Sequence, residues 1–392
     1  MILHPKWSQE ILAQIDQGTW SLLSLLASVL YIKSNKLSDI GIFYLILTFV
    51  YCNLSIIKSF FLFPVISDSV QKKEVNIQNF TKKIFQPLKK ILVLEMFLLS
   101  IILLGIRNDT RQVIDFIILF LALTMRDISR SINIYFNKYV ENVLQNILAM
   151  LIIFCLHFLA ATLITIPESW AIGIVVSHFF FTIGGMRVQS FSIEPKLHQP
   201  LDKIQEKLLR LDSLATQLIS FFTMIIFTSL DSTLIGKFSV MYTCIASIGV
   251  TVGSGFTGKL NLQYLRERTS ERKIFQRYLV SIIIILVNLW IVIMFDFLPL
   301  FLVGDKWLDS FNVLVPAFLL YTTVLLNQFY AFPLLVSSKN LIFLAFRIVS
   351  FITISVVPYL FILVYSVNVA IIVQTILLFV LFLSVRILLW HR

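Results

Sequence analysis

Residues 38–63 read SDIGIFYLILTFVYCNLSIIKSFFLF. The hydrocarbon core of a bilayer is crossed by about 20 residues of apolar helix, so this run is long enough to span it. Its opening, Asp39-Ile40-Gly41-Ile42-Phe43, has a counterpart about 195 residues later in Leu234-Ile235-Gly236-Lys237-Phe238, at the head of a second apolar run, 234–258. Behind these openings Thr48, Cys52 and Ser59 fall opposite Thr243, Ser247 and Ser254, and a basic segment follows each run, at 72–90 and 259–277. The apolar runs just before them also correspond: Ile15-Asp16-Gln17 opens one and Leu211-Asp212-Ser213 the other, aligning Asp16 with Asp212 and Gln17 with Ser213. The chain therefore reads as an internal repeat, a plan on which many transporter folds are built.

Outward from this pair, a hydropathy scan places spans near 11–32, 38–63, 88–106, 112–132, 143–165 and 169–186, then near 208–230, 234–258, 275–303, 311–336, 341–365 and 368–388. This predicts an all-α polytopic membrane protein with an N-terminal six-helix lobe at 1–190, a cytoplasmic linker at 191–206 and a C-terminal six-helix lobe at 207–392. Because six is even, both lobes begin on the same side and the repeats are parallel; an inverted repeat needs an odd count. Composition agrees: the 392 residues are 58% hydrophobic and 14% charged, with a mean hydropathy of +0.90, whereas soluble domains carry about 25% charged residues. The first span is not expected to be a signal peptide, since Gln14, Asp16 and Gln17 interrupt it and no small-residue cleavage site follows.

The 32 Lys and Arg exceed the 21 Asp and Glu by enough to give a net charge of +11. In a polytopic chain such an excess is first a matter of cytoplasmic loop bias and not of nucleic-acid binding. With the N-terminus inside, 25 of the basic residues fall in inner segments and six in outer connectors (Lys33, Lys36, Arg107, Arg111, Lys237 and Lys306), while Lys58 lies within a span. Both termini are predicted cytoplasmic. Every outer connector is seven residues or shorter, which leaves no room for a catalytic domain and argues against an enzyme such as a polysaccharide polymerase. Cys52, Cys155 and Cys244 all sit in apolar stretches, so neither a disulfide framework nor a metal site is expected, and no cofactor motif is present.

Polar residues inside a bilayer are costly, and their spacing is the best sequence clue to a pathway. Gln14, Gln17, Ser21, Ser24 and Ser28 share one face of the first span; Thr48, Tyr51, Ser55 and Lys58 share one of the second; Thr243, Ser247, Thr251, Ser254 and Gly258 share one of the eighth. Two readings stand for such stripes, close helix packing and a hydrated cavity between the lobes, because both use small and hydroxyl residues. Arg126, Arg130, Asn133 and Asn137 share a face late in the fourth span, read either as a basic helix end or as an anion-attracting vestibule. Arg347, about a turn into the eleventh span, either snorkels or faces the cavity. Glu95, Asp115 and Asp296 near span boundaries are read as solvated or paired carboxylates or as sites for a coupling proton or sodium ion, and His157 and His178 as structural histidines or proton relays. Asn327, Gln328 and Tyr330 ahead of Pro333 break the tenth span as a pathway or a kink.

The twelve-span layout, Asp16-Gln17-Gly18 in the first span, Asp39-Ile40-Gly41-Ile42-Phe43 after a short outer connector, Arg126-Asp127-Ile128-Ser129-Arg130, and Gly304-Asp305-Lys306-Trp307 before the tenth span carry a family resemblance. They resemble the polysaccharide-transporter branch of the multidrug/oligosaccharidyl-lipid/polysaccharide exporter superfamily, and within it the O-antigen flippases of the Wzx type. The likeness covers nearly the whole chain and rests on layout more than on any single motif. It implies a MATE-like, V-shaped pair of lobes around a cavity that opens alternately to each side. The implied substrate is an undecaprenyl-pyrophosphate-linked oligosaccharide, an O-antigen or related repeat unit of lipopolysaccharide biosynthesis, flipped across the bacterial inner membrane. The implied partners are the bilayer, a polysaccharide polymerase and chain-length proteins.

A pyrophosphate needs cations, for which Lys58 is the first candidate, with Arg126, Arg130 and Arg347 behind it. Gln17, Ser21, Ser24, Ser213, Gln217 and Ser220 are the sugar-side candidates, and Asp16 and Asp212 the candidates for ion coupling. One departure is plain: related flippases often carry several arginines deep in the cavity, whereas the middle of these spans has few cations. The alternative is an ion-coupled multidrug or small-molecule exporter of the same superfamily, which is expected to set a carboxylate deep in a lobe. A major-facilitator transporter is disfavoured, since Pro64–Lys72 lacks that family's glycine and arginine signature. Cysteines placed at Ser270 and Lys203 are expected to react with impermeant thiol reagents only from the cytoplasmic side of inverted and right-side-out vesicles; labelling of either from the other side overturns the topology.

Overall fold

A computed structural model describes residues 5–57, 110–135, 138–160, 163–183, 231–241 and 297–315 with scattered single positions elsewhere, and every regular element among them is helical. The elements are α1 (Pro5–Ser34), α2 (Leu37–Ile57), α3 (Thr110–Tyr135), α4 (Tyr139–Ala160), α5 (Ile166–Ile183), α6 (Phe297–Val303) and α7 (Lys306–Asp309), with a helical stretch at 232–241. They fall on the first, second, fourth, fifth and sixth expected spans, the head of the eighth and the end of the ninth, while α7 lies in the expected connector between the ninth and the tenth. The third span is described only at scattered positions, and the seventh, tenth, eleventh and twelfth lie wholly or mostly outside the described residues.

Helix ends overrun the apolar windows. The first span, expected from residue 11, begins at Pro5, and the fifth, expected from 143, begins at Tyr139. At 1.5 Å per residue the 30 residues of α1 reach about 45 Å, well beyond a hydrocarbon thickness of about 30 Å. Hydropathy marks where lipid begins, but the backbone has no reason to stop hydrogen bonding there. Local chemistry sets the ends: Asn35 Nδ2 donates to the Tyr31 carbonyl at 3.0 Å as α1 closes, and Lys33 lies in its last turn, where the helix dipole favours a cation.

Among the described residues, two helical stretches are long and apolar enough to cross a membrane, Leu37–Leu54 and Tyr139–Ala160. Only 22% of the latter is buried, which is unlike the core helix of a soluble protein. Its inward face is Asn142, Gln145, Asn146, Ala149 and Ile153, while Leu151, Phe154 and Phe158 project outward, as expected of a helix against lipid.

The chain divides into two compact units, Met1–Leu30 with Asn53–Pro200 and Tyr31–Cys52 with Leu201–Arg392, so the end of α1 and most of α2 belong with the second unit. In the first, α3, α4 and α5 pack together, and α5 lies tight against α4 at Gly173, where a Cβ would lie 2.9 Å from the Ala149 carbonyl oxygen and from Ile153 Cγ1.

In the second unit, α2 crosses the 232–241 helix through the two glycines that the sequence pairs. A Cβ on Gly41 would collide with the Ser232 carbonyl oxygen and lie 3.1 Å from the Gly236 nitrogen; a Cβ on Gly236 would collide with the Leu37 carbonyl oxygen. Ser232 precedes Gly236 by four residues, as Leu37 precedes Gly41, so each glycine covers the carbonyl one turn before the other. Reciprocal contact of this kind is the mark of a two-fold-related crossing, and small residues are what let membrane helices approach this closely. Tyr44 Oη hydrogen-bonds Thr243 Oγ1 farther along the crossing, and the Tyr31 ring stacks on Phe43 at 3.9 Å between centroids. Gly304, at φ +64°, turns the chain between α6 and α7. That turn presents the Lys306 ammonium to the Ile32 and Lys33 carbonyls, satisfying two of the free acceptors at the end of α1, and burial holds Lys306 below its ordinary pKa.

Gly41→Ala and Gly236→Ala are each expected to destabilise the purified protein, by about 1–3 kcal/mol, because a backbone carbonyl cannot move aside as a side chain can. Gly18→Ala, where nothing lies within 4 Å of the added carbon, is expected to leave the unfolding temperature unchanged or raised. Equal unfolding temperatures for all three would refute the close crossing.

Candidate functional site

Four of the sequence candidates, Asp16, Gln17, Arg126 and Arg130, converge inside the first unit. α3 places Arg126 and Arg130 one turn apart on the face that meets α1 and α4. Arg126 is 1% exposed and Arg130 9%, so they do not form a solvated helix end. Arg130 grips Asp16 with Nε, at 3.2 and 3.0 Å from the two carboxylate oxygens, and with Nη2 at 2.9 Å from Oδ2. The same Nη2 donates to Gln17 Oε1 at 2.8 Å. This is the forked guanidinium–carboxylate geometry that gives arginine its selectivity for planar anions.

Arg126 is held by neutral acceptors on α4. Its Nη2 donates to Asn146 Oδ1 at 2.8 Å and to the Asn142 carbonyl at 3.1 Å, and its Nη1 to Asn142 Oδ1 at 3.4 Å. Asn142 is the hub: its Oδ1 also accepts from Asn133 Nδ2 at 2.9 Å, and its own Nδ2 donates to the Arg130 carbonyl at 3.3 Å. Asn146 Nδ2 donates to Thr19 Oγ1 at 3.1 Å, and that hydroxyl donates to the Asp16 carbonyl at 3.0 Å, tying α4 back to α1. The Trp20 ring lies under both guanidiniums, with its centroid 5.9 Å from Arg126 Cζ and 6.0 Å from Arg130 Cζ, at the limit of a cation–π contact. The charges near Arg126 are those of Asp16, Arg130 and the buried Asp127, so the cluster is balanced.

Asn142, Asn146, Thr19 and Trp20 were not sequence candidates. A signal for the asparagines existed: α3 and α4 are joined by a short connector, and Asn142/Asn146 repeat on its far side, slightly nearer to it, the one-turn spacing of Arg126/Arg130. In an antiparallel hairpin those pairs face each other. Ser21 and Ser24 are partly exposed farther along α1, and Thr48 donates to the Tyr44 carbonyl of its own helix at 2.8 Å, a packing use of its hydroxyl. His178 Nδ1 lies 3.4 Å from Ser129 Oγ. Lys58, Arg347, Asp212, Ser213, Gln217 and Ser220 lie outside the described residues. Among the described residues no group of His, Cys, Asp and Glu has metal-binding geometry.

Over 94% of this chain and 94% of that chain, the structure is similar to an inward-facing multidrug resistance MATE family transporter of the MOP superfamily, with a TM-score of 0.59 at 12% identity. A MATE solved in complex with MaD3S gives 0.58 at 14% identity over 96% of this chain and 94% of its own, and a MATE in the bent conformation 0.53 at 14% over 97% and 94%. The chain has the fold of the MATE transporters. No protein-family model and no curated protein matches the sequence. At such low identity the likeness shows the helical framework alone.

Removing one partner of a buried ion pair strands the other charge, whereas replacing both with apolar groups strands neither. Asp16→Leu and Arg130→Leu are therefore each expected to cost about 3–5 kcal/mol, and the double variant less than either single one, in unfolding of the detergent-purified protein. Losses that simply add would show that the two side chains are not coupled.

Proposed function

We propose that this chain is a membrane transporter that flips a polyprenyl-pyrophosphate-linked oligosaccharide across the bacterial inner membrane by alternating access. The MATE-like fold supports a transporter of this superfamily. The observation that favours an anionic lipid-linked substrate is the pair of buried guanidiniums, one of them already gripping a carboxylate in forked geometry. A pyrophosphate offers the same acceptor arrangement with more charge, and displaces Asp16 from Arg130 on entry. Asp16, once displaced, is the group that takes up a coupling ion, with Asp212 its repeat-related counterpart. Gln17, Ser21 and Ser24 offer hydrogen bonds to the sugars, while the prenyl tail stays in lipid. Lys58 and Arg347 complete the proposed cation set, and the chain performs no covalent chemistry of its own.

The multidrug resistance transporter among the structural neighbours favours a second reading, export of small molecules by the same fold. Deleting the gene separates the two. Build-up of single lipid-linked repeat units on the cytoplasmic leaflet, reversed by the wild-type gene and not by Arg130→Ala, is the expected result. Unchanged surface polysaccharide with raised drug sensitivity would replace the flippase by an exporter.

A further inference from the structure

The arginine cluster leaves unused a second polar group at the other end of the α3–α5 pair. Asp115 stands eleven residues before Arg126 on α3, about 16 Å away along the helix axis. It is 2% exposed. Its Oδ2 accepts from Thr165 Oγ1 at 2.9 Å, and its Oδ1 is buried with no hydrogen-bond partner among the described residues. The carboxyl of Glu168, in the first turn of α5, is held beside it through Thr165, whose hydroxyl bonds Asp115 and whose N–H bonds Glu168.

Glu168 is committed to the start of α5. Its Oε2 accepts the Thr165 N–H at 2.7 Å, and its own N–H donates to Thr165 Oγ1 at 3.3 Å, which together make a capping box. Thr165 is thus the hinge of the arrangement, since its hydroxyl is bonded both to Asp115 and to the cap. Among the described residues, the charged groups facing Asp115 are Glu168 on α5 and Arg111 on its own helix; Arg111 Nη2 lies 3.7 Å from Glu168 Oε2 and donates to the Leu163 carbonyl at 2.9 Å. Burial pushes the Glu168 carboxyl up, but the Thr165 N–H, the Asp115 carboxyl and the Arg111 guanidinium together hold it below its ordinary value. Glu168 is accordingly the ionised member.

We infer that Asp115 and Glu168 form a proton-binding site, with one proton carried on Asp115 Oδ1 and donated to the Glu168 carboxylate. Two carboxylates in contact do not both ionise without strong repulsion, and a shared proton removes it. The proton also gives the orphaned oxygen a partner, since Thr165 already occupies Oδ2. Loss of the proton sets two negative charges together across the α3–α5 junction, so the pair acts as a pH-sensitive clasp between the starts of these helices. The inference does not depend on the transported substrate, because it rests on groups remote from the arginine cluster.

Infrared difference spectra of the full-length protein in lipid nanodiscs, recorded across a pH titration, test it. The wild type is expected to show a protonated-carboxyl C=O band at mildly acidic pH that vanishes on alkalinisation and is missing from Asp115→Asn. Glu168→Gln replaces the repelling carboxylate with an amide that can donate to Asp115, so the band should titrate at a pH lower by about one unit or more. Thr165→Val removes a donor to the anion and should move the titration the other way; these two variants keep the test alive should Asp115→Asn fail to fold. A titrating carboxyl band that is the same in the wild type and in Asp115→Asn, or an unmoved midpoint in Glu168→Gln, overturns the shared proton.

Discussion

A buried guanidinium carries five N–H donors that cannot be deprotonated away, and this constraint organises the first unit. Arg126 is held through two asparagines on α4, and Arg130 through Asp16 and Gln17 on α1. Asn146 is also tied to Thr19 on α1, so the rotation and axial register of α1, α3 and α4 are fixed together. Sliding α4 by one turn past α3 would take Asn146 from Arg126 and leave donors unmet in an apolar interior, at a cost of several kcal/mol.

The second unit reaches a defined crossing by the opposite route. Between membrane helices there is little hydrophobic drive, because lipid is as apolar as leucine, and close approach comes from small residues. Gly41 and Gly236 supply it reciprocally, each lying on the carbonyl one turn ahead of the other. A charge network specifies register through what must be bonded. A glycine crossing specifies it through what must be missing.

α3 joins the two chemical features of the first unit. Asp115 lies in its second turn and Arg126 and Arg130 in its C-terminal half. At one end a carboxylate occupies the anion-binding fork of an arginine; at the other, two carboxyls compete for charge. Both are arrangements in which a group already in place stands where an exchanging ligand would sit, an anion in the first and a proton in the second. That is a useful property in a molecule proposed to change state during each cycle.

Much of this framework was legible in the sequence. The twenty-residue apolar period exposed the helices, since no other backbone satisfies itself in lipid, and the correspondence at about 195 residues singled out the two glycines that meet. Helical spacing also put Arg126 and Arg130 on one face and drew attention to Asp16 and Gln17. What it left open was which face meets which helix. Thr48 and Arg126 both read as members of polar stripes, yet the first bonds its own helix and the second is enclosed by another. Asn142 and Asn146 passed unremarked, and Asp115 and Glu168 gave no sign of one another. Sequence fixes the pattern along a single helix because that pattern is set by the 3.6-residue turn. Partners across helices depend on packing, and only the tertiary structure decides whether a buried polar group meets a donor, an acceptor or a second charge.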